Sequence, residues 1–267
     1  MMRAFLDRPV LITADGQSNM LGHLAAGGSR IENPLVYCYE HFPQSGQTTG
    51  WKSDGMNGPD YPFQKVGNNL AYHVADIVQR HTGRAVCLVY HAAGGMPIKE
   101  WWDTSKTGNA RVGVLYSTIY NSLQAALDCP LPGRQDGKTL RQLGIAAADA
   151  HLRHQGESDA DYMGGSFNGY TQSLTELVTA YRKPSAFGLP LSPIIRPSAP
   201  FVCGELFIGG QSPSTGLRTD DRNDAMRDLA DIGVIRLAPA DGLTSVDNLH
   251  FDGPSLVEFA RRYAALI

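Results

Sequence analysis

A serine lies between glutamine and asparagine directly after the first apolar run of the chain, in the motif Gly16–Met20 (GQSNM). The apolar run, Pro9–Ala14, predicts a buried strand, and side chains at strand ends reach the crevice where α/β folds bind ligands. Ser18 is therefore a candidate nucleophile. A serine hydroxyl becomes a good nucleophile at neutral pH when a neighbouring base takes its proton.

A candidate base lies near the other end of the chain, in Ser245–Phe251 (SVDNLHF). Asp247 and His250 are three positions apart and can face the same way on one turn. The carboxylate would then accept the imidazole Nδ1–H, and the second ring nitrogen would take the Ser18 proton. The short motif also permits another interpretation, in which Asp247 caps the C-terminal helix or a turn and His250 lies on the surface.

Two further motifs offer hydrogen-bond donors to an oxyanion. Gly94 and Gly95 follow the second apolar run, and the N–H of one of them could act beside the Ser18 N–H. The other interpretation is a tight turn that requires glycine. Gln155 follows the third run, and its amide NH₂ could reach the same oxyanion.

The Gln155–Asp159 motif (QGESD) also contains a carboxylate, Glu157, which could orient His250 or neighbouring groups. The alternative is a polar loop whose Ser158 and Asp159 cap a helix. Each of the four motifs follows a different predicted strand: the first, the second, the third and the last. This common placement predicts that they meet at one edge of one sheet.

Apolar runs and helical spacing alternate along the chain. Five runs predict buried parallel strands: Pro9–Ala14, Ala85–His91, Leu143–His151, Pro200–Ile208 and Gly233–Leu237. Five segments have the apolar spacing of helices: Gln64–His81, Val112–Leu127, Tyr170–Tyr181, Asp221–Ile232 and Ser255–Leu266. The alternation predicts a three-layer α/β/α sandwich with a mostly parallel, five-stranded sheet.

Long connections separate some of these elements: Gly22–Pro62, Ala92–Ala110 and Phe187–Ser198. The first two follow strand ends, so we expect them to wall the active site. Their tryptophans, Trp51, Trp101 and Trp102, could stack on sugar rings or pack the loops onto the sheet. Asn19 and Met96 complete the candidate substrate contacts.

Composition narrows the class of protein. Hydrophobic residues make up 42% and charged residues 18%, which indicates a packed globule, and we expect one domain over residues 1–267. The absence of a dense Lys/Arg cluster argues against nucleic acid as a partner. No apolar run approaches the roughly 18 residues of a membrane span.

The cysteine pattern and the N-terminus complete these exclusions. The four cysteines lack metal-site spacing, so we expect no metal site. We also expect no cofactor. The N-terminus does not resemble a signal peptide, which leaves the localisation open between the cytoplasm and export by another route or after leader removal.

The four motifs together resemble the blocks of the SGNH (GDSL-like) hydrolases. More narrowly, they resemble the sialate O-acetylesterase and acetyl-xylan esterase group, carbohydrate esterase family six. The blocks, in the family's order, are Gly16-Gln17-Ser18-Asn19-Met20, Gly94-Gly95-x-x-Ile98-x-x-Trp101, Gln155-Gly156-Glu157-Ser158-Asp159 and Asp247-x-x-His250-Phe251. The resemblance covers nearly the whole chain.

The resemblance implies a flavodoxin-like fold and metal-independent serine esterase chemistry. It implies that Ser18 is the nucleophile, that its N–H lies in the oxyanion hole, and that Asp247 and His250 complete a triad. It also implies that Gln155 is an oxyanion donor and that Glu157 assists the histidine. Two stretches depart from the family, Met96–Pro97 and Leu152–His154, and they leave the acyl size and substrate preference open.

The sequence therefore predicts a serine esterase that removes O-acetyl groups from a carbohydrate through an acetyl-enzyme. One alternative is a non-catalytic carbohydrate-binding or structural module on the same fold. Another is an esterase for short-chain esters that are not sugars. The complete set of Ser18, Asp247, His250 and oxyanion donors favours the enzyme. The sequence leaves the sugar and the oligomeric state undetermined.

Overall fold

The computed structural model describes residues 8–22, 25, 33–40, 50–52, 69–131, 134, 136–159, 167–210 and 219–267. Seven strands run through these residues: β1 Val10–Gly16, β2 Val36–Glu40, β3 Gly50–Lys52, β4 Val86–Ala92, β5 Ala150–His154, β6 Phe201–Gly204 and β7 Arg236–Ala238. They form one sheet in the order β3-β2-β4-β1-β5-β6-β7. All neighbouring pairs are parallel except β2 and β3, which are antiparallel.

The helices of the described chain lie between these strands. They are α1 Ser18–Leu21, α2 Leu70–Thr82, α3 Val114–Asp128, α4 Phe167–Arg182, α5 Asp220–Asp231 and α6 Gly253–Ala264. Apolar residues of α2 and α6 share one buried cluster with one face of the sheet. Those of α3, α4 and α5 share a second cluster with the other face. The predicted three-layer α/β/α sandwich is confirmed.

The predicted strand count was too low. The five predicted strands correspond to β1, β4, β5, β6 and β7, whereas β2 and β3 add two more at one edge. Both lie inside Gly22–Pro62, which we expected to be a long connection. The predicted start of the third strand, Leu143, was also wrong, because Leu143 ends a 3₁₀ turn and β5 begins at Ala150.

Strand β1 lies at the centre of the sheet, and all seven of its residues are buried. It is flanked by β4 on one side and β5 on the other. From β1, the strands that come next in the chain lie on one side of the sheet, and the later strands β5, β6 and β7 lie on the other. Such a topological switch point opens a crevice at the carboxyl end of the strand. Helix α1 begins two residues beyond β1, so the fold places Ser18 in that crevice.

A close backbone approach fixes this end of β1. Gln17 N–H donates to the His154 carbonyl at 3.0 Å. Gly16 has a φ of +150°, and a Cβ there would lie 2.2 Å from the His154 carbonyl oxygen. Glycine at this position therefore brings the Ser18 turn against β5.

Within the described chain, no helix is long and apolar enough to cross a membrane.

Candidate active site

Three side chains from the two ends of the chain form one hydrogen-bonded series. Ser18 Oγ lies 2.8 Å from His250 Nε2, and His250 Nδ1 lies 2.7 Å from Asp247 Oδ2. The His250 side chain is 13% exposed and that of Asp247 is 38% exposed, so both lie at an accessible rim. A neutral histidine held between a carboxylate and a hydroxyl can act as a general base toward that hydroxyl.

The turn that contains this histidine is built from its own sequence. Asn248 has a φ of +65°, a left-handed conformation that asparagine tolerates better than most residues. The turn lets Asp247 Oδ1 accept the N–H groups of Leu249 at 3.0 Å and His250 at 2.7 Å. Val246 N–H donates to the His250 carbonyl at 2.9 Å. The carboxylate therefore orders both the turn and the imidazole.

The ionisation of Asp247 sets the tautomer of His250. Partial burial alone would raise the pKa of Asp247, but the hydrogen bonds from the His250 ring and from the two backbone N–H groups hold it below its usual value. An ionised carboxylate can only accept hydrogen bonds, so Nδ1 carries the ring proton. The lone pair of Nε2 in the neutral ring then faces the Ser18 hydroxyl.

Of the two caps considered for Asp247, the helix cap is wrong, whereas Asp247 does cap a turn through the N–H groups of Leu249 and His250. The cap of α6 is Asp252, whose carboxylate accepts the Ser255 N–H at 2.9 Å.

Gly94 and Gly95, the predicted oxyanion donors, lie just beyond the carboxyl end of β4, the strand beside β1. Gly16 pairs with Ala92 in the β1–β4 register, and Ala93 N–H donates to the Gly16 carbonyl at 2.9 Å. Both glycines are exposed just beyond that pair, as Ser18 is just beyond Gly16. Within the described chain, no acceptor is paired with the backbone N–H of Ser18, Gly94 or Gly95.

The predicted role of Gln155 as an oxyanion donor does not fit the structure. Gln155 Nε2 donates to the Met96 carbonyl at 3.2 Å and to the Asp159 carboxylate, so both of its N–H groups are used. Its Oε1 accepts from Arg153 Nη2 at 3.0 Å, which fixes the orientation of the amide. Gln155 therefore supports the Gly95–Met96 turn from below.

Asp159 also holds the loop after β4 in place, together with Gln155. It is fully buried and accepts the Ile98 N–H at 2.9 Å, which ties the loop after β4 to the loop after β5. Burial raises its pKa to about 6, although the hydrogen bonds from Gln155 and Ile98 and the charges of Arg153 and Arg222 oppose the rise. Its environment thus makes this carboxyl a weaker acid than an exposed aspartate.

This raised pKa predicts a pH-dependent difference in stability. The folded state binds the Asp159 proton more tightly than the unfolded state does. The contribution of Asp159 to the free energy of unfolding therefore falls as pH rises from about 4 through about 6. The loss is on the order of 3 kcal/mol at neutral pH. Asp159→Asn cannot ionise, so its free energy of unfolding should gain about that much relative to wild type between pH 4 and pH 7. Urea unfolding at several pH values measures it, and parallel pH profiles would contradict it.

Glu157 lies close to the nucleophile but does not touch His250. Its carboxylate accepts from Gln17 Nε2 and, at 2.7 Å, from Asn19 Nδ2, the two residues that flank Ser18. His154 Nε2 lies 3.5 Å away on the buried side. Of the two roles predicted for Glu157, orienting His250 or orienting neighbouring groups, its direct contacts are with the neighbouring groups Gln17 and Asn19.

Of the four predicted substrate contacts, two are turned inward. Trp101 is fully buried, with the Arg153 guanidinium 4.4 Å above its ring. Asn19 is 1% exposed, and its amide is bonded to Glu157 and to the backbone of Leu249 and Phe251. Met96 is 38% exposed beside the two glycines and remains a predicted contact. Trp51 lies in β3, and its side chain is outside the described residues.

The sequence interpretation missed a buried charge network beneath this site. Asp15 accepts from Arg153 and from the Tyr181 hydroxyl, both at 2.6 Å. Burial alone would raise the pKa of Asp15, but the charges of Arg153 and His151 bring it to about 2. An arginine inside a buried strand was the available signal, because arginine is rarely buried without a partner. In the described residues no group of three or more His, Cys, Asp or Glu could hold a metal ion.

Comparisons with known proteins agree with this architecture. The family described as carbohydrate esterase, sialic acid-specific acetylesterase matches residues 10–267. A protein from Arabidopsis thaliana has a similar structure, with a TM-score of 0.63 and 18% identity, over 96% of this chain and 97% of that one. The protein NanS is similar with a TM-score of 0.60 and 12% identity, over 97% and 96%.

A carbohydrate acetylesterase from Xanthomonas citri has a TM-score of 0.58 and 15% identity, over 96% of this chain and 55% of that one. At these identities the similarity shows the shared fold. No curated protein matches the chain.

Proposed function

Because the chain belongs to the carbohydrate esterase, sialic acid-specific acetylesterase family, we propose that it removes O-acetyl groups from a carbohydrate. The family prediction made from the four motifs is thereby confirmed. One observation supports a Ser-His-Asp mechanism for this reaction. Ser18 Oγ lies 2.8 Å from one ring nitrogen of His250, and the other ring nitrogen lies 2.7 Å from Asp247. We also propose that the chain acts as a single domain, which the match over residues 10–267 supports.

The proposed reaction has two acyl-transfer steps. His250 takes the Ser18 proton while Ser18 Oγ bonds to the acetyl carbonyl carbon, and the carbonyl electron pair moves onto oxygen. When the tetrahedral intermediate collapses, the bond to the sugar oxygen breaks and His250 protonates that oxygen. Water then attacks the acetyl-enzyme with the same histidine as base, which releases acetate and restores the Ser18 hydroxyl.

The oxyanion would be held by backbone N–H groups. Ser18 and one of Gly94 or Gly95 supply them, since these donors are not paired within the described chain. Such donors stabilise the negative charge that develops on the carbonyl oxygen, and each is worth about 10²–10³-fold in turnover. Asp247 stays ionised throughout and stabilises the imidazolium that forms on His250.

Acetate release from different esters tests this function. The wild-type protein is assayed with O-acetylated sialic acid, acetylated xylo-oligosaccharide, p-nitrophenyl acetate and p-nitrophenyl butyrate, each with and without EDTA. We expect acetate from at least one acetylated carbohydrate, at a rate that EDTA leaves unchanged. Turnover of the p-nitrophenyl esters alone would favour a non-sugar esterase, and no turnover at all would favour a binding module.

A further inference from the structure

One buried side chain contacts the backbone on both sides of His250. Asn19 Oδ1 accepts the Phe251 N–H at 3.0 Å, and Asn19 Nδ2 donates to the Leu249 carbonyl at 3.0 Å. Asn19 directly follows Ser18 on helix α1. A single amide therefore ties the segment with the candidate base to the turn with the candidate nucleophile, across 230 positions of sequence.

A buried carboxylate holds this amide in place. Glu157 is 3% exposed, and its two oxygens accept from Asn19 at 2.7 Å and from Gln17. Burial alone would raise the pKa of Glu157, but the hydrogen bond and charge of His154 and the bond from Asn19 lower it below its usual value. Glu157 is thus an anion at neutral pH that anchors both neighbours of Ser18.

The charge of Glu157 also decides which way the Asn19 amide faces. A carboxylate can only accept, so the NH₂ group of Asn19 must point toward Glu157. This orientation leaves Nδ2 beside the Leu249 carbonyl and Oδ1 beside the Phe251 N–H, where each finds a complementary group. The opposite orientation would set two pairs of oxygens against each other and bring the NH₂ group against an N–H.

We propose that Asn19 is a positioning residue for His250, and that Glu157 acts through Asn19 by fixing its orientation. The proposal rests on the proposed function, since it assigns Asn19 to the Ser18–His250 contact. The turn around His250 lies at the surface, with the Asp247 side chain 38% exposed and Val246 48% exposed. The Asn19 amide connects this exposed turn to the buried end of β1.

Losing the Asn19 bonds to Leu249 and Phe251 should lower the turnover rate more than it weakens substrate binding. A misplacement of about 1 Å in a reacting group costs about 10²-fold in rate. Asn19→Ala should therefore lower kcat for an acetyl ester by about 10²-fold, while KM changes by less than about threefold. Glu157→Gln keeps the shape but removes the charge, and its own NH₂ would face Gln17 or Asn19. We expect a smaller loss in kcat, about 10-fold.

A double-mutant cycle tests whether Asn19 acts through His250. Asn19→Ala is measured in the wild-type background and in the His250→Ala background. We expect the loss of about 10²-fold in the first and less than about threefold in the second, because a missing base needs no positioning. Equal losses in both backgrounds would overturn the proposal, since Asn19 would then act on the substrate or the oxyanion.

The second variant and a matched control keep this test sharp. Glu157→Gln should cost less in the Asn19→Ala background than in the wild type, because only its bond to Gln17 is then left to weaken. An additive loss would overturn the link between Glu157 and Asn19. Asn33 is the control, since its buried amide also makes three bonds, to Asp76, Gln79 and the Leu35 N–H. It precedes β2 and so lies at the amino ends of the strands, whereas Ser18 lies at the carboxyl ends. Asn33→Ala should therefore lower the melting temperature and leave kcat unchanged.

The two proposals fail in different ways. A wild-type protein that releases no acetate from any ester overturns the proposed function. An active wild type with a strongly slowed His250→Ala and an additive Asn19→Ala overturns only the positioning role. Should Asn19→Ala fail to fold, the same cycle is made with Glu157→Gln and His250→Ala, with the same two outcomes.

Discussion

Replacing Ser18 by alanine is expected to lower kcat/KM for an acetyl ester by at least about 10⁴-fold. Without the Ser18 hydroxyl no acetyl-enzyme can form, and His250 has no nucleophile to activate. The oxyanion donors and substrate binding remain, so a small rate above that in water should persist. Initial rates with p-nitrophenyl acetate and with an acetylated carbohydrate measure the effect.

A matched serine separates this loss from misfolding. Ser122 is buried on α3, remote from the crevice, and Ser122→Ala should keep the wild-type rate. The melting temperature of Ser18→Ala should remain close to that of wild type, because Ser18 is only partly buried. A folded Ser18→Ala protein with the wild-type rate would show that another group is the nucleophile.

Replacing Asp247 by asparagine is expected to lower kcat by about 10⁴-fold. The structure gives the reason, since the ionised carboxylate accepts the Nδ1–H of His250 at 2.7 Å. An asparagine NH₂ facing Nδ1 would favour the tautomer with the proton on Nε2. That nitrogen could then no longer accept the Ser18 proton. Turnover of p-nitrophenyl acetate near neutral pH measures the loss.

Asp252 provides the matched control for Asp247. It lies in the same loop, and its carboxylate caps α6 through the Ser255 N–H. Asp252→Asn should cost about 1 kcal/mol or less in stability and leave kcat within a fewfold of wild type. Similar losses in both variants would mean that the loop, rather than the Asp247 carboxylate, limits the rate.

The sequence predicted the meeting of Ser18, Asp247 and His250 because Ser18 lies just beyond β1 and the other two lie in the segment that follows the last strand. Strands of a parallel sheet end at the same edge, so the order of strands and helices alone brings their following residues together. The short spacing of Asp247 and His250 then fixes a local turn. Long-range geometry was needed only to close the 2.8 Å contact of Ser18 with His250.

Gln155 and Asn19 were misjudged for a common physical reason. The partners of an amide side chain depend on which groups the fold brings beside it. Gln155 meets Arg153, which uses its oxygen, and Met96 and Asp159, which use its two N–H groups. Asn19 meets a loop 230 positions away in sequence. Neither set of partners follows from local spacing.

The missed edge strands have a different cause. Val36–Glu40 (VYCYE) and Gly50–Lys52 are short and mix polar with aromatic residues, so neither forms the continuous apolar run of a strand buried on both faces. The third strand was predicted to start too early for the opposite reason. The apolar run there continues from a 3₁₀ turn at Leu143 into β5, and composition does not separate the two.

The central claim is that the acetyl group passes from the sugar to water through an acetyl-enzyme on Ser18. The partition of the acetyl group between water and methanol tests this claim most directly. Wild-type protein is incubated with phenyl acetate, p-nitrophenyl acetate and an O-acetylated carbohydrate at one methanol concentration, and acetate and methyl acetate are quantified. A common acetyl-enzyme predicts the same product ratio for all three donors, because the leaving group has departed before partition. A ratio that changes with the leaving group would contradict the account.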